Sequence, residues 1–109
     1  GNTGSVVIKD RKIMANDGII IVIANINMKK KQLLGKINIT TRGFVQVNEN
    51  EELLKKIEKI SKEAILNKLN NQINYNDIKN EIISIVSDYA YEKTGRKPIV
   101  LPVIMDIKK

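Results

Sequence analysis

Histidine, cysteine and tryptophan are absent from this chain of 109 residues, and phenylalanine occurs once. Without histidine, Ser-His-Asp and Cys-His catalysis are excluded, and so are histidine-rich zinc centres. Without cysteine there is neither a disulfide framework nor a thiolate metal site, a composition that suits a reducing compartment. No apolar run reaches the ~18 residues that mark a membrane span. The N-terminus also lacks the basic-then-apolar order of a signal peptide. The expected location is therefore the cytoplasm, with no membrane partner. The shortage of aromatics leaves Ile, Val and Leu to build the core. It also removes the repeated stacking residues of an aromatic RNA-binding sheet.

Charge is the feature in surplus. The chain carries 19 basic and 12 acidic side chains, a net charge of +7. The excess is uneven. Lysines and arginines dominate residues 1–48 and 93–109, whereas residues 71–92 hold Lys79 against Asp77, Glu81, Asp88 and Glu92. Residues 49–70 are balanced, so the predicted strands, turns and chain ends hold the surplus. Such a surface attracts phosphate non-specifically. The same balance also occurs in basic proteins with no nucleic-acid partner.

The length suits one domain that buries roughly 65% of its unfolded surface. Residues 1–16 read as the end of an interdomain linker and an N-terminal arm, and 17–109 as a single α+β domain. Asn16-Asp17-Gly18 is a turn signal. Ile19 to Met28 is a β-branched strand, and Lys29 to Gly35 a basic hairpin loop. Lys36 to Val47 is a second strand, in which Gly43 marks a bulge or a close backbone approach. Asn48 caps a first helix with Glu51 three residues on; Leu53, Ile57, Ile60, Ala64 and Leu69 form its apolar stripe. A second helix runs from Asn76 to Lys93 with Ile78, Ile82, Ile85, Val86 and Tyr89 on one face. Gly95 ends it and Pro98 prevents its return. Ile99 to Ile107 is a third strand.

The order ββααβ predicts a three-stranded mixed sheet, order 2-1-3, with both helices on one face. The two prolines of the third strand lack donors and place it at an edge. If Ile20, Val22, Ala24 and Ile26 face the helices, a second apolar face remains. The expected members of that face are Ile19, Ile21, Ile23, Phe44, Val100 and Ile104, while Ile99, Leu101, Val103 and Met105 are expected to point inward. A patch wider than roughly 400 Å² is unusual on a monomer, so this face is a candidate interface. Residues 1–16 folding back across it is the competing explanation.

No catalytic or metal-binding set is found. The helix carboxylates alternate with lysines at spacings that suit solvated i,i+4 pairs, and Asp10 and Asp17 stand apart on irregular chain. Candidate phosphate contacts are Lys29, Lys30 and Lys31 at the hairpin, Arg42 beside Gly43-Phe44, and Lys93, Arg96 and Lys97 around the helix end. Each has a plainer role available: a solvated hairpin tip, a strand-fixing ion pair, or favourable charge at a helix C-terminus.

Three segments carry a resemblance. The C-terminal run Tyr91-Glu92-Lys93-Thr94-Gly95-Arg96-Lys97-Pro98-Ile99-Val100-Leu101-Pro102-Val103-Ile104-Met105-Asp106 resembles the C-terminus of the ribonuclease J family, bacterial enzymes of the metallo-β-lactamase/β-CASP class. Gly4-Ser5-Val6-Val7-Ile8-Lys9-Asp10-Arg11-Lys12 with Asn16-Asp17-Gly18, and Ile39-Thr40-Thr41-Arg42-Gly43-Phe44-Val45, match in the same order. The resemblance implies a parent that degrades RNA from its 5′ end and also cuts internally. It implies zinc on a His/Asp motif of a catalytic domain absent here, so this chain holds no cofactor and is no enzyme alone. The implied partners are the rest of the parent ribonuclease and further copies, as a dimer or tetramer, with weak contact to RNA. The implied role is support of subunit assembly and full nuclease activity. A freestanding small basic RNA-binding module, or a pure assembly domain, fits the same residues.

Overall fold

The run of Ile and Val from Ile19 to Asn27 is strand β1, and Gln32–Arg42 form β2, Glu51–Leu69 helix α1, Tyr75–Thr94 helix α2 and Ile99–Asp106 strand β3. The computed structural model describes residues 17–44, 51–71 and 74–108. Expectations for the 1–16 arm, for Val45 and Val47 and for the Asn48 cap lie outside these residues. β1 is central, antiparallel to β2 and parallel to β3, in the order β2-β1-β3. The protein is thus the expected α+β arrangement, ββααβ, with a mixed three-stranded sheet.

Period-two alternation in β1 puts Ile20, Val22, Ala24 and Ile26 wholly out of solvent against the helices. α1 packs over β2 and α2 over β3. The helices contribute Ile57, Ala64, Ile65 and Leu69 from α1 and Ile78, Ile82, Val86 and Ala90 from α2. Leu53, Ile60, Ile85 and Tyr89, from the expected stripes, pack at the margin of this core. Full burial of each Ile or Val stabilises by roughly 1.5–3 kcal/mol.

The ends of α2 follow local rules. Asn74 accepts a hydrogen bond from the Asp77 amide at 3.0 Å, while the Asp77 carboxylate accepts from the Asn74 amide at 3.3 Å. This reciprocal cap starts the helix one residue before the expected Asn76. At the other end Gly95 takes φ 73° and donates its amide to the Tyr91 carbonyl at 2.8 Å, the expected stop.

β2 begins earlier than the sequence suggested. The Asn27 side-chain oxygen accepts the Lys30 amide at 2.9 Å, and the Lys31 amide donates to the Met28 carbonyl at 3.3 Å. Lys31 adopts φ 55° to close the turn, a conformation that its residue type does not advertise. Pairing therefore starts at Asn27 with Gln32 instead of at Lys36. The register slips between Ile23 and Asn25, opposite Gly35 at φ 69°, so the bulge is at Gly35. Gly43 instead makes the close approach: a Cβ added to Gly18, at φ 87°, would sit 2.5 Å from the Gly43 carbonyl.

Three parity expectations are corrected. Phe44 is only 1% exposed and belongs to the core, because the chain bends after Arg42 and turns the ring under the helices' side of the sheet. Val100 is 5% exposed and Ile104 packs against the core, so neither faces away. Val100 lies beside Ile20, Pro102 beside Val22 and Ile104 beside Ala24, and parallel neighbours in register share a face. Ile99, Leu101, Val103 and Met105 are expected inside; Ile99 instead lies beside Ile19 on the outer face, and Leu101, Val103 and Met105 are 42%, 41% and 44% exposed.

Two sets of hydrogen bonds close the ends of the sheet. At the start of β1 the Asp17 carboxylate accepts the Lys97 amide at 2.9 Å, and Arg96 Nη1 donates to the Phe44 carbonyl at 2.8 Å. At the other end Asp106 Oδ1 accepts the Met28 amide at 3.0 Å. The Met28 amide, and then the Tyr75 hydroxyl, hold the Asp106 carboxyl below its ordinary pKa; the same carboxylate raises that of Tyr75.

Two outcomes follow from this geometry. Gly18→Ala meets both the left-handed backbone and the Gly43 carbonyl and should cost about 2–4 kcal/mol. Gly35→Ala, with open space around it, should cost only about 1–2 kcal/mol; comparative thermal melts check the order. Asp106→Asn should lower the melting temperature at neutral pH. The folded-state carboxyl pKa is depressed, so its stabilisation is present above the unfolded value and lost as pH falls through the folded one. The difference between wild type and variant should therefore begin to narrow as melts are taken below about pH 4, and close only below the depressed folded-state pKa.

Candidate functional site

The sheet surface turned away from the helices divides lengthwise. On β1, Ile19, Ile21 and Ile23 are half-buried there, as the sequence predicts. Beside them in register on β3 stand Ile99, Leu101 and Val103, with Met105 next to Asn25. On the β2 side the same rows hold Arg42, Thr40 and Asn38. An apolar stripe thus runs along the β1–β3 half, bordered by a polar margin. Of the residues proposed from sequence, Ile19, Ile21 and Ile23 belong to it; Phe44, Val100 and Ile104 do not. Ile99, Leu101, Val103 and Met105 are the members that sequence reasoning missed.

β3 is also an edge. Ile99 donates its amide to the Gly18 carbonyl at 2.9 Å and Ile107 to the Ile26 carbonyl at 2.7 Å. Alternation then directs the odd-numbered amides of β3 toward β1 and the even-numbered backbone groups outward. Pro102 is even, so its missing donor falls on the free edge, as expected for an edge proline.

The proposed phosphate contacts fall into separate groups. Lys29, Lys30 and Lys31 lie at the exposed β1–β2 turn. Arg42, Lys93, Arg96 and Lys97 lie toward the opposite end, roughly 26 Å away along the nine residues of β1. They do not form one site. Arg96 is engaged with the Phe44 carbonyl, and Lys97 Nζ lies 5.2 Å from the Tyr91 ring centroid. Lys93 Nζ is 5.9 Å from the centroid of Tyr89 and borders a cleft between α1 and α2. Lys55, Lys56 and Lys59 of α1 line the same cleft. The sequence did not single out these three lysines, because equal numbers of glutamates and lysines over residues 49–70 hide their placement.

No group of three or more Asp or Glu side chains able to hold a metal exists among the described residues, and the chain has no His or Cys. The residues present do not fit a zinc centre. No helix among the described residues is long and apolar enough to cross a membrane.

Residues 6–107 match the family described as the ribonuclease J C-terminal domain. The chain is 30% identical over 109 residues to ribonuclease J 2 of Streptococcus pyogenes serotype M3, covering 99% of this chain and 20% of that protein. It is 32% identical over 108 residues to ribonuclease J2 of Bacillus subtilis strain 168, covering 98% and 20%. With ribonuclease J 2 of Staphylococcus epidermidis strain RP62A it shares 36% identity over 111 aligned positions, covering 98% and 19%. The chain therefore spans about a fifth of the length of the relatives it matches. A match across nearly its whole length, in a chain with the expected ββααβ order, makes this protein a member of the ribonuclease J C-terminal domain family.

Proposed function

We propose that this domain has no catalysis of its own and serves an RNA-degrading parent as an assembly element, joining subunits through the outer face of its sheet. The observation that carries this reading is the stripe of Ile21, Ile23, Leu101, Val103 and Met105, apolar and partly open in a domain whose helices cover only the other face. A second copy is the partner it suits. A two-fold axis across the stripe sets apolar surface on apolar surface, with the polar margin of β2 at the rim. The parent's cleavage chemistry, with the zinc that the family resemblance implies, belongs to a domain outside these residues. Contact with RNA is weak and electrostatic, driven by the net charge of +7. The cytoplasm suits such a role.

Light scattering paired with thermal melting tests the assembly reading. The 109-residue chain should self-associate at micromolar concentration. Val103→Asp should leave a monomer with a melting temperature close to wild type, because a carboxylate desolvated on association costs several kcal/mol. Val22→Asp, on the buried face, should unfold the domain. A Val103→Asp protein that melts as poorly as Val22→Asp, or that associates like wild type, contradicts the assembly reading.

A further inference from the structure

We infer that RNA is held at the basic end of the cleft between α1 and α2, with phosphates of a single strand on Lys55, Lys56, Lys59 and Lys93 and a base against Tyr89. This inference rests on the reading that the domain works within an RNA-handling enzyme; it adds where the strand is touched and by which side chains.

The argument begins with the charge on the helix pair. The two helices run antiparallel, so the first half of α1 lies beside the last turns of α2. That juxtaposition gathers Lys55, Lys56 and Lys59 on one bank of a cleft of about 600 Å³ and Lys93 on the other, with Tyr89 between them and only Glu52 and Glu92 as acidic members. Lys55 and Lys59 stand one turn apart, roughly 6 Å along the helix axis, a spacing comparable to that of successive phosphates. Farther along the same interhelical groove the sign reverses: Glu63, Glu81, Asp88 and Glu92 line the next stretch, and no basic residue lines it. A polyanion is drawn to one end of the groove and repelled from the other, so the footprint is short.

An aromatic ring within a convergence of four lysines separates this cleft from the other basic clusters: Lys97 also lies 5.2 Å from the centroid of Tyr91, but among the described residues no such set of lysines lines a cleft around it. Lys93 Nζ lies 5.9 Å from the Tyr89 ring centroid, and the ring is partly exposed. A cation beside a partly exposed aromatic ring is the pairing that single-stranded nucleic acid uses, charge for the backbone and ring for the base. The turn carrying Lys29, Lys30 and Lys31 has Tyr75 near it, but the Tyr75 hydroxyl is engaged with Asp106, which also accepts the Met28 amide. Arg96 is already bonded to the Phe44 carbonyl. An acidic peptide could use the same lysines but has no need of Tyr89, and the test below asks whether Tyr89 is used.

The experiment is a fluorescence anisotropy titration of a short labelled oligouridylate with the 109-residue chain, at several salt concentrations between about 50 and 200 mM. The double variant Lys55→Gln/Lys59→Gln should weaken binding about tenfold at the low-salt end and flatten the salt slope by about 1.4, two single-strand phosphate contacts. Lys29→Gln/Lys31→Gln, with the same change in net charge, should stay within about twofold of wild type. Tyr89→Leu should weaken binding several-fold with the slope unchanged, as lost stacking does. If the hairpin pair weakens binding as much as the cleft pair, the site is overturned while weak electrostatic RNA binding stands. If wild type does not bind at all, both fall. If the cleft pair matters and Tyr89→Leu is silent in a chain that melts normally, the base contact is overturned, and with it the ground for preferring nucleic acid to any other polyanion.

Discussion

Pro102 is the constraint on which the arrangement turns. It lies in the middle of β3, beside Val22 of the central strand, and has no amide to give. It can remain in a strand only where that donor is not wanted, on the free edge. Backbone chirality ties the side to which a residue's polar groups point to the face its side chain takes. In β1 the even-numbered residues aim their carbonyls at β3, as Gly18 and Ile26 do, and their side chains at the helices. β3 runs in the same direction, so its even-numbered residues also take the helix face while their polar groups point away from β1. Pro102 thereby fixes Val100 and Ile104 inward and Leu101, Val103 and Met105 outward. It also delivers Asp106 to the Met28 amide and the Tyr75 hydroxyl.

That single phase divides the domain's surfaces by chemistry. The sheet's outer face receives aliphatic side chains from two parallel strands and so suits a protein surface. The helical layer keeps its apolar stripes inward and carries its charge outward, basic at one end of the interhelical groove and acidic along the rest. Bonds at both ends close the sheet: Arg96 to the Phe44 carbonyl and Asp17 to the Lys97 amide at one end, Asp106 to the Met28 amide at the other. The proposed roles, assembly by the sheet and RNA contact by the helices, therefore use opposite faces and do not compete.

Much of this was legible in the sequence, and the misses have particular causes. β1 was readable because β-branched residues filled it, and α2 because Gly95 and Pro98 close a helical stripe; the Asn74–Asp77 cap that sets its start was not read from the sequence. The start of β2 was hidden because Lys31 adopts a left-handed conformation that a lysine does not signal. Phe44 was assigned by counting along a strand that ends at Arg42. The parity of β3 is implicit in Pro102, because a proline whose missing donor faces the free edge also has its side-chain face fixed, but apolar residues at both odd and even positions of β3 mask that phase. The lysine cleft was invisible to net charge, since helix α1 mixes both signs and only its antiparallel packing against α2 brings Lys93 to Lys55, Lys56 and Lys59.

Amide hydrogen exchange across β3, followed residue by residue by NMR in dilute 109-residue chain, tests the central claim most directly. The account predicts slow exchange at Leu101, Val103 and Met105, whose amides point to β1, and fast exchange at Val100 and Ile104, whose amides point to the open edge. Protection of Val100 and Ile104 with rapid exchange at Leu101 and Val103 would reverse the phase of the strand, return Leu101 and Val103 to the core, and remove the apolar stripe on which the assembly reading stands.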